Sequence, residues 1–289
     1  GAVQNLGAAF SIMLNNKILV RIIRVDIYGK LFGFDGIIIS IAGVLLSLIV
    51  IRLIAVLGFP KGFILLFAIS LVMYVLSAVL ILQFSLLYNN ENNNSTDFLS
   101  PFSIIKNMLM KPEVRMMILP NILRGFASGG VYYIMAMGIK RMDLPPIYSS
   151  YAVTASTLGI IAGNIFFAYA IDKLKSGKLC FIGGLICAAA MLGISYIDSK
   201  YVFIILNFFV MLGQTQIDQG VPTGIYRNLP YDMLGSITGI RMLLMSLGMA
   251  ISTPIIGYAL NLTDAFYIML VVGVLQIFGS ALFWKAFRQ

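Results

Sequence analysis

Histidine is absent from this chain of 289 residues, and cysteine occurs only twice. Without histidine or a cysteine cluster, transition-metal ligation and histidine-based catalysis have no material to work with. Cys180 and Cys187 stand seven positions apart in one apolar run, so they build no metal site alone and need no disulfide; they are expected to be packing residues. Charge is scarce too, at 11% of residues, where a soluble domain carries roughly a quarter. What fills the chain instead is apolar: 60% hydrophobic residues and a mean hydropathy of +0.96. The composition describes a polytopic, all-α membrane protein.

Stretches long enough to cross a bilayer as helices, about 20 residues each, run over 33–57, 62–88, 114–138, 148–171, 179–197, 201–222, 234–260 and 265–287. They are continuously apolar and not alternating, which speaks against a β-barrel.

Asp26-x-x-Gly29-x-x-x-Gly33 returns as Asp232-x-x-Gly235-x-x-x-Gly239, 206 positions later, each time at the entrance to an apolar run. The register extends upstream, where Leu6-Gly7 falls on Leu212-Gly213 and Arg21 on Arg227. A duplicated membrane unit explains this, and such duplication is how many secondary transporters are built. The second unit starts near Arg115, which places the start of the first about 90 residues before Gly1, room for three helices at about 20 apolar residues each. The sequence, which opens at Gly1 with no signal-peptide n-region, is therefore expected to be an N-terminally truncated fragment. Three missing helices, a remnant at residues 1–24 and eight spans make twelve.

The net charge of +9 raises nucleic acid as a partner, but the charge distribution follows topology and no nucleic acid is expected. If the Asp-Gly loops face the cytoplasm, thirteen of the 20 Lys and Arg residues lie on that side, and Lys61, Lys140, Arg141 and Lys200 on the other. The positive-inside rule then puts the C-terminus in the cytoplasm of an integral, multi-pass protein of the plasma membrane. Arg52, Arg124 and Arg241 fall inside or at the edges of helices, and Arg52 can snorkel to the boundary.

The longest polar connection, Tyr88 to Arg115, carries an asparagine-rich tract and then a short amphipathic piece around 102–110. It reads as a hinge between halves. The organisation expected is 1–88 as the remainder of an N-terminal half, 89–113 as a cytoplasmic central loop, and 114–289 as a C-terminal six-helix half. Two glycosylation sequons in the tract are taken as chance matches on the cytoplasmic side. Pro120, Pro222 and Pro254 fall within spans and are expected to kink them, as membrane helices tolerate.

An ionisable group near the bilayer centre costs about 2.5 to 3.5 kcal/mol on insertion scales. Arg124 lies nine residues inside the span beginning at Arg115, and Asp218 nine residues before Arg227. At about 1.5 Å per residue both are about 13 Å deep. Asn121, Arg124, Ser128 and Tyr132 share one helix face; Asn207, Gln214 and Asp218 share another; Ser150, Thr154, Thr157 and Asn164 form a third stripe. The stripes suggest a water-accessible cavity. The alternative is a buried ion-pair network that only fixes packing. Arg124, Asp218, Asn121, Gln214, Thr157 and Asn164 are the candidate substrate-binding residues, while Gln216 and Gln219 face elsewhere and are expected to bond neighbouring helices. Asp35 and Arg241 are repeat equivalents, 206 apart, and read as gating residues.

Two six-helix halves, a long central loop and Ala168-x-x-x-Asp172-Lys173-x-x-Ser176-Gly177-Lys178 between the fourth and fifth spans seen here resemble the major facilitator superfamily. The segment is similar to that family's cytoplasmic loop signature, with Ala168 in place of its first glycine. The resemblance implies a pseudo-symmetric six-plus-six helix bundle lacking about its first three helices, from a remnant of the fourth to the twelfth. It assigns Asp172, Lys173 and Lys178 to conformational control, the aspartate pairing with nearby helix ends. The family's fifth-helix antiporter signature is missing from 33–57, although Gly248-x5-Pro254-x-x-Gly257 occupies the equivalent place in the second unit.

The function expected is secondary active transport of a small solute by alternating access, with efflux preferred. Uptake or exchange of an anionic solute is the alternative, and a non-transporting scaffold or sensor on the same fold the alternative of another class. A membrane enzyme would need a nucleophile, metal ligands or paired carboxylates near an interface, and none is visible, so neither catalytic residue nor cofactor is expected. The partners expected are the solute, the lipid bilayer and a coupling proton or sodium ion, with the protein a monomer.

Overall fold

The structure, a computed structural model, describes residues 28–58, 61–89, 110, 112–145, 147–228 and 234–287. The remnant at 1–24, Asp26 and Asp232 of the repeat, and the asparagine tract lie outside the described residues.

Among the described residues the secondary structure is helical: α1 (Tyr28–Leu57), α2 (Lys61–Asn89), α3 (Pro112–Arg141), α4 (Ile147–Leu174), α5 (Ser176–Tyr196), α6 (Lys200–Asn228), α7 (Leu234–Leu262) and α8 (Ala265–Ala286). Each matches one span expected from the sequence. Six of them, α3 to α8, contain stretches long and apolar enough to cross a membrane. Pro120, Pro222 and Pro254 lie inside continuous helices. Thus α6 does not stop at Pro222, and continues to Asn228.

The chain divides into two compact units, 1–40 with 105–289, and 41–104. In the smaller, residues 67–80 of α2 are all exposed, with apolar side chains on every side. A helix without a polar face is suited to lipid and not to water.

In the larger unit the helices pack in the succession α4, α6, α5, α8, α3, α7. A core of Ala127, Ile134 and Met137 from α3, Cys187, Met191 and Ile194 from α5, Phe203 and Val210 from α6, and Met269 and Val272 from α8 joins the inner members. Both cysteines are buried and free. In a bilayer the tails are as apolar as the side chains, so close packing and interhelical hydrogen bonds hold helices together. Two of the crossings bring glycine against glycine. Gly183 of α5 meets Gly213 of α6, where a Cβ on either would stand 2.5 Å from the other's carbonyl oxygen, and Gly125 of α3 meets Gly248 of α7.

The turns are short and fix the ends. Lys175 alone separates α4 from α5 and holds φ 56°, a region most side chains avoid. At the other end of α6, Arg141 closes the α5–α6 turn, donating to the carbonyls of Ser195 and Ile197 and pairing with Asp198 at 2.7 Å.

Candidate functional site

Arg124 of α3 and Asp218 of α6 form an ion pair. Arg124 is 3% exposed and Asp218 48%, so the guanidinium is enclosed while the carboxylate reaches open space. Equal depth, counted from the charged ends of two helices, has become contact. Asp218 also accepts from Gln214 Nε2 at 3.5 Å, and Gln214 Oε1 accepts a 2.9 Å bond from Gln276 of α8. The centre therefore links α3, α6 and α8. Gln276 was not foreseen, because a single glutamine in the apolar run 265–287 makes no stripe.

The remaining polar residues bond partly within their own helices and partly across to neighbours. Asn121 is buried and donates to Met117 O on its own helix; Asn207 is buried and donates likewise to Phe203 O. Thr157 gives its hydroxyl to Val153 O. Asn164 is buried between α1 and α6, against Gly36, and accepts from Gln219 Nε2 at 2.9 Å. Gln216 donates to Gly163 O at 2.8 Å. Gln216 and Gln219 thus make the interhelical bonds expected of them. The two larger cavities described, about 380 and 360 Å³, do not touch Arg124 or Asp218. Asn121 and Asn207 donate to backbone carbonyls of their own helices, since an unbonded amide in an apolar interior costs about 1–3 kcal/mol.

At the α4 end, Asp172 lies 2.9 Å from Lys30 Nζ of α1 and 3.6 Å from Arg227 of α6. The single-residue turn at Lys175 leaves Asp172 facing both helix ends. Lys173 and Lys178 are exposed, and no salt bridge of either occurs among the described residues.

Arg241 and Asp35, the repeat equivalents, differ in surroundings. Asp35 is exposed. Arg241 Nε and Nη1 are enclosed without hydrogen-bond partners, and Nη2 stands 3.6 Å from Met242 Sδ. A small space of about 10 Å³ between α3 and α7 is lined by Arg241 and Asn121, whose Oδ1 also lacks a partner. No ion pair between Asp35 and Arg241 occurs among the described residues.

The sequence model described as Major Facilitator Superfamily matches residues 1–253. The chain belongs to the major facilitator superfamily. Its helices also align with the E. coli fucose:proton symporter, in a single-substitution variant, at a TM-score of 0.51 and 14% identity over 74% of this chain. The chain spans about half of that symporter, 53% of its length. At this identity the likeness establishes the fold. A comparison with curated proteins gives no match. Superfamily membership makes the chain an integral, multi-pass membrane protein of a carrier family and not an enzyme.

Proposed function

We propose that the whole protein is a secondary active transporter that moves a small solute across the plasma membrane by alternating access. The Arg124–Asp218 pair is its charged centre. The observation that carries the reading is the asymmetry of this pair, with a buried guanidinium holding a half-exposed carboxylate in an apolar bundle. Such a carboxylate can exchange a proton, a sodium ion or a solute group with the open side, and its change of charge acts directly on the Arg124 guanidinium it is paired with. Export stays the preferred direction. Asp218 already neutralises Arg124, which leaves less attraction for an anionic solute than a lone arginine would exert. Gln214 and Gln276 orient the carboxylate, and Asn121, Thr157 and Asn164 belong to the surrounding polar shell. Asp172 with Lys30 and Arg227 serves as a latch, and Asp35, Arg241, Lys173 and Lys178 complete the gating set. The halves proposed are 1–88 and 114–289 around the central loop 89–113, with the C-terminus cytoplasmic.

The test is counterflow and gradient-driven transport by the full-length protein in proteoliposomes. Asp218→Asn should abolish dependence on a proton or sodium gradient while solute exchange persists. Gradient-driven accumulation at the wild-type rate in Asp218→Asn would remove the pair from the mechanism.

A further inference from the structure

A second site lies at the opposite end of the bundle. Asp198, which pairs with Arg141, precedes α6, and Arg227, which pairs with Asp172, lies at its end, so the two clusters are separated by the length of that helix. Beside Arg141, a cavity of about 380 Å³ opens between α3, α7 and the start of α8. Its volume falls within the range of small-molecule sites, about 300–1,000 Å³.

Tyr133, Met137 and Lys140 of α3 face Gly257, Leu260 and Asn261 of α7 across this space. Gly257 shapes it, since a Cβ there would come within 2.8 Å of the Tyr133 hydroxyl. The two cations on its rim differ. Arg141 is committed to Asp198 and to the Ser195 and Ile197 carbonyls, yet its Nε is enclosed with no hydrogen-bond partner. Lys140 is exposed, and no carboxylate pairs with it among the described residues. An exposed ammonium and a carboxamide thus stand at one cavity whose lining also includes the apolar side chains of Ala136, Met137, Leu260 and Ala265.

We propose that this cavity binds an amphiphilic anion, with a phosphate or carboxylate head at Lys140 and Asn261 and an apolar body against Met137 and Leu260. The site is separate from the Arg124–Asp218 centre and does not depend on the function assigned there. The head could be a lipid headgroup or that of a free solute, and the chemistry of recognition is the same.

The test uses the full-length protein in phosphatidylcholine nanodiscs with hexyl phosphate, inorganic phosphate and hexanol as probes. Hexyl phosphate should bind saturably, and hexanol and inorganic phosphate each at least roughly tenfold more weakly, because each lacks half of the recognised chemistry. Lys140→Gln, at an exposed position, should weaken hexyl phosphate by roughly five- to tenfold. Gly257→Leu, which fills the cavity, should weaken it further. Thermal melting of both variants shows whether they are folded, and Lys140→Gln keeps the test decisive if Gly257→Leu is not. Equal binding of hexanol and hexyl phosphate would reduce the site to an apolar groove, equal binding of inorganic phosphate would reduce it to a charged patch, and unchanged affinity in Lys140→Gln would remove it from this cavity; each overturns the proposal. Repeating the titration in phosphatidylglycerol-containing nanodiscs identifies the source: displacement of hexyl phosphate supports the site as a lipid site, and undiminished binding supports it as a solute site.

Discussion

Gln276 of α8 donates a 2.9 Å hydrogen bond to Gln214 Oε1 of α6, joining α8 to the Arg124–Asp218 centre. Both side chains are buried. Gln276→Leu leaves Gln214 Oε1 without its donor, at a penalty of about 1–3 kcal/mol. The expected result is a lower melting temperature in detergent, partly restored in the double variant Gln214→Leu/Gln276→Leu, where neither partner is left unsatisfied. A double-mutant cycle with a coupling energy near zero would show that the bond contributes nothing.

The unequal burial of the ion pair predicts unequal responses to its removal. Asp218→Asn strips the carboxylate from an enclosed guanidinium, whereas Arg124→Met leaves a carboxylate that is half exposed and can be hydrated. The aspartate substitution should destabilise by at least about 2 kcal/mol and by more than the arginine substitution, because a buried cation that loses its carboxylate is costlier than a half-exposed carboxylate that water can reach. Thermal unfolding of both variants in the same detergent checks the order. If Arg124→Met melts lower, the pair is not organised around the buried cation.

The Gly183–Gly213 crossing gives a packing prediction. A methyl group on Gly213 would stand 2.5 Å from Gly183 O and 2.7 Å from Cys187 N, and both are backbone atoms that no rotamer change can move. Gly213→Ala should separate α5 from α6 and destabilise by about 1–3 kcal/mol. Gly43→Ala, at a position where nothing lies within 4 Å of an added Cβ, is the matched control and should leave melting unchanged.

The sequence made some of this legible for physical reasons. Ionisable residues are so rare in apolar spans that Arg124 and Asp218 stood out, and counting from Arg115 and Arg227 put them level; the ion pair follows from that arithmetic. Asp172 was legible through its loop pattern, and its partners Lys30 and Arg227 are where helix ends converge. Gln276 was not, since one amide in an apolar run has no periodicity. Nor was it legible that Asn121 and Asn207 would bond back to their own helices while Asn164 bonds across to α6, because a stripe fixes which face is polar and not what packs against it. The apolar run ends at 222, short of the end of α6 at Asn228, because its closing turns carry Thr223, Arg227 and Asn228, and Pro222 lies inside the continuous helix as membrane helices tolerate.

Asp172 holds two cations from two helices, Lys30 at 2.9 Å and Arg227 at 3.6 Å, and all three side chains are at least a quarter exposed. Pairs of that exposure are worth about 0.2–1 kcal/mol each. A latch acts on a conformational equilibrium only through the difference in its contacts between the two states. If Lys30 parts from Asp172 when the transporter opens on this side, Lys30→Gln should shift the population toward the opened form by roughly 1.4- to fivefold, the change that corresponds to one such pair. Asp172→Asn removes the attraction to both cations and should shift it at least as far, with solute affinity little changed and turnover reduced. Labelling of single cysteines on each side of the membrane in the full-length protein reports the populations, and equilibrium binding reports affinity. Unchanged labelling combined with weaker solute binding in Asp172→Asn would place this residue in the binding site and end its role as a latch.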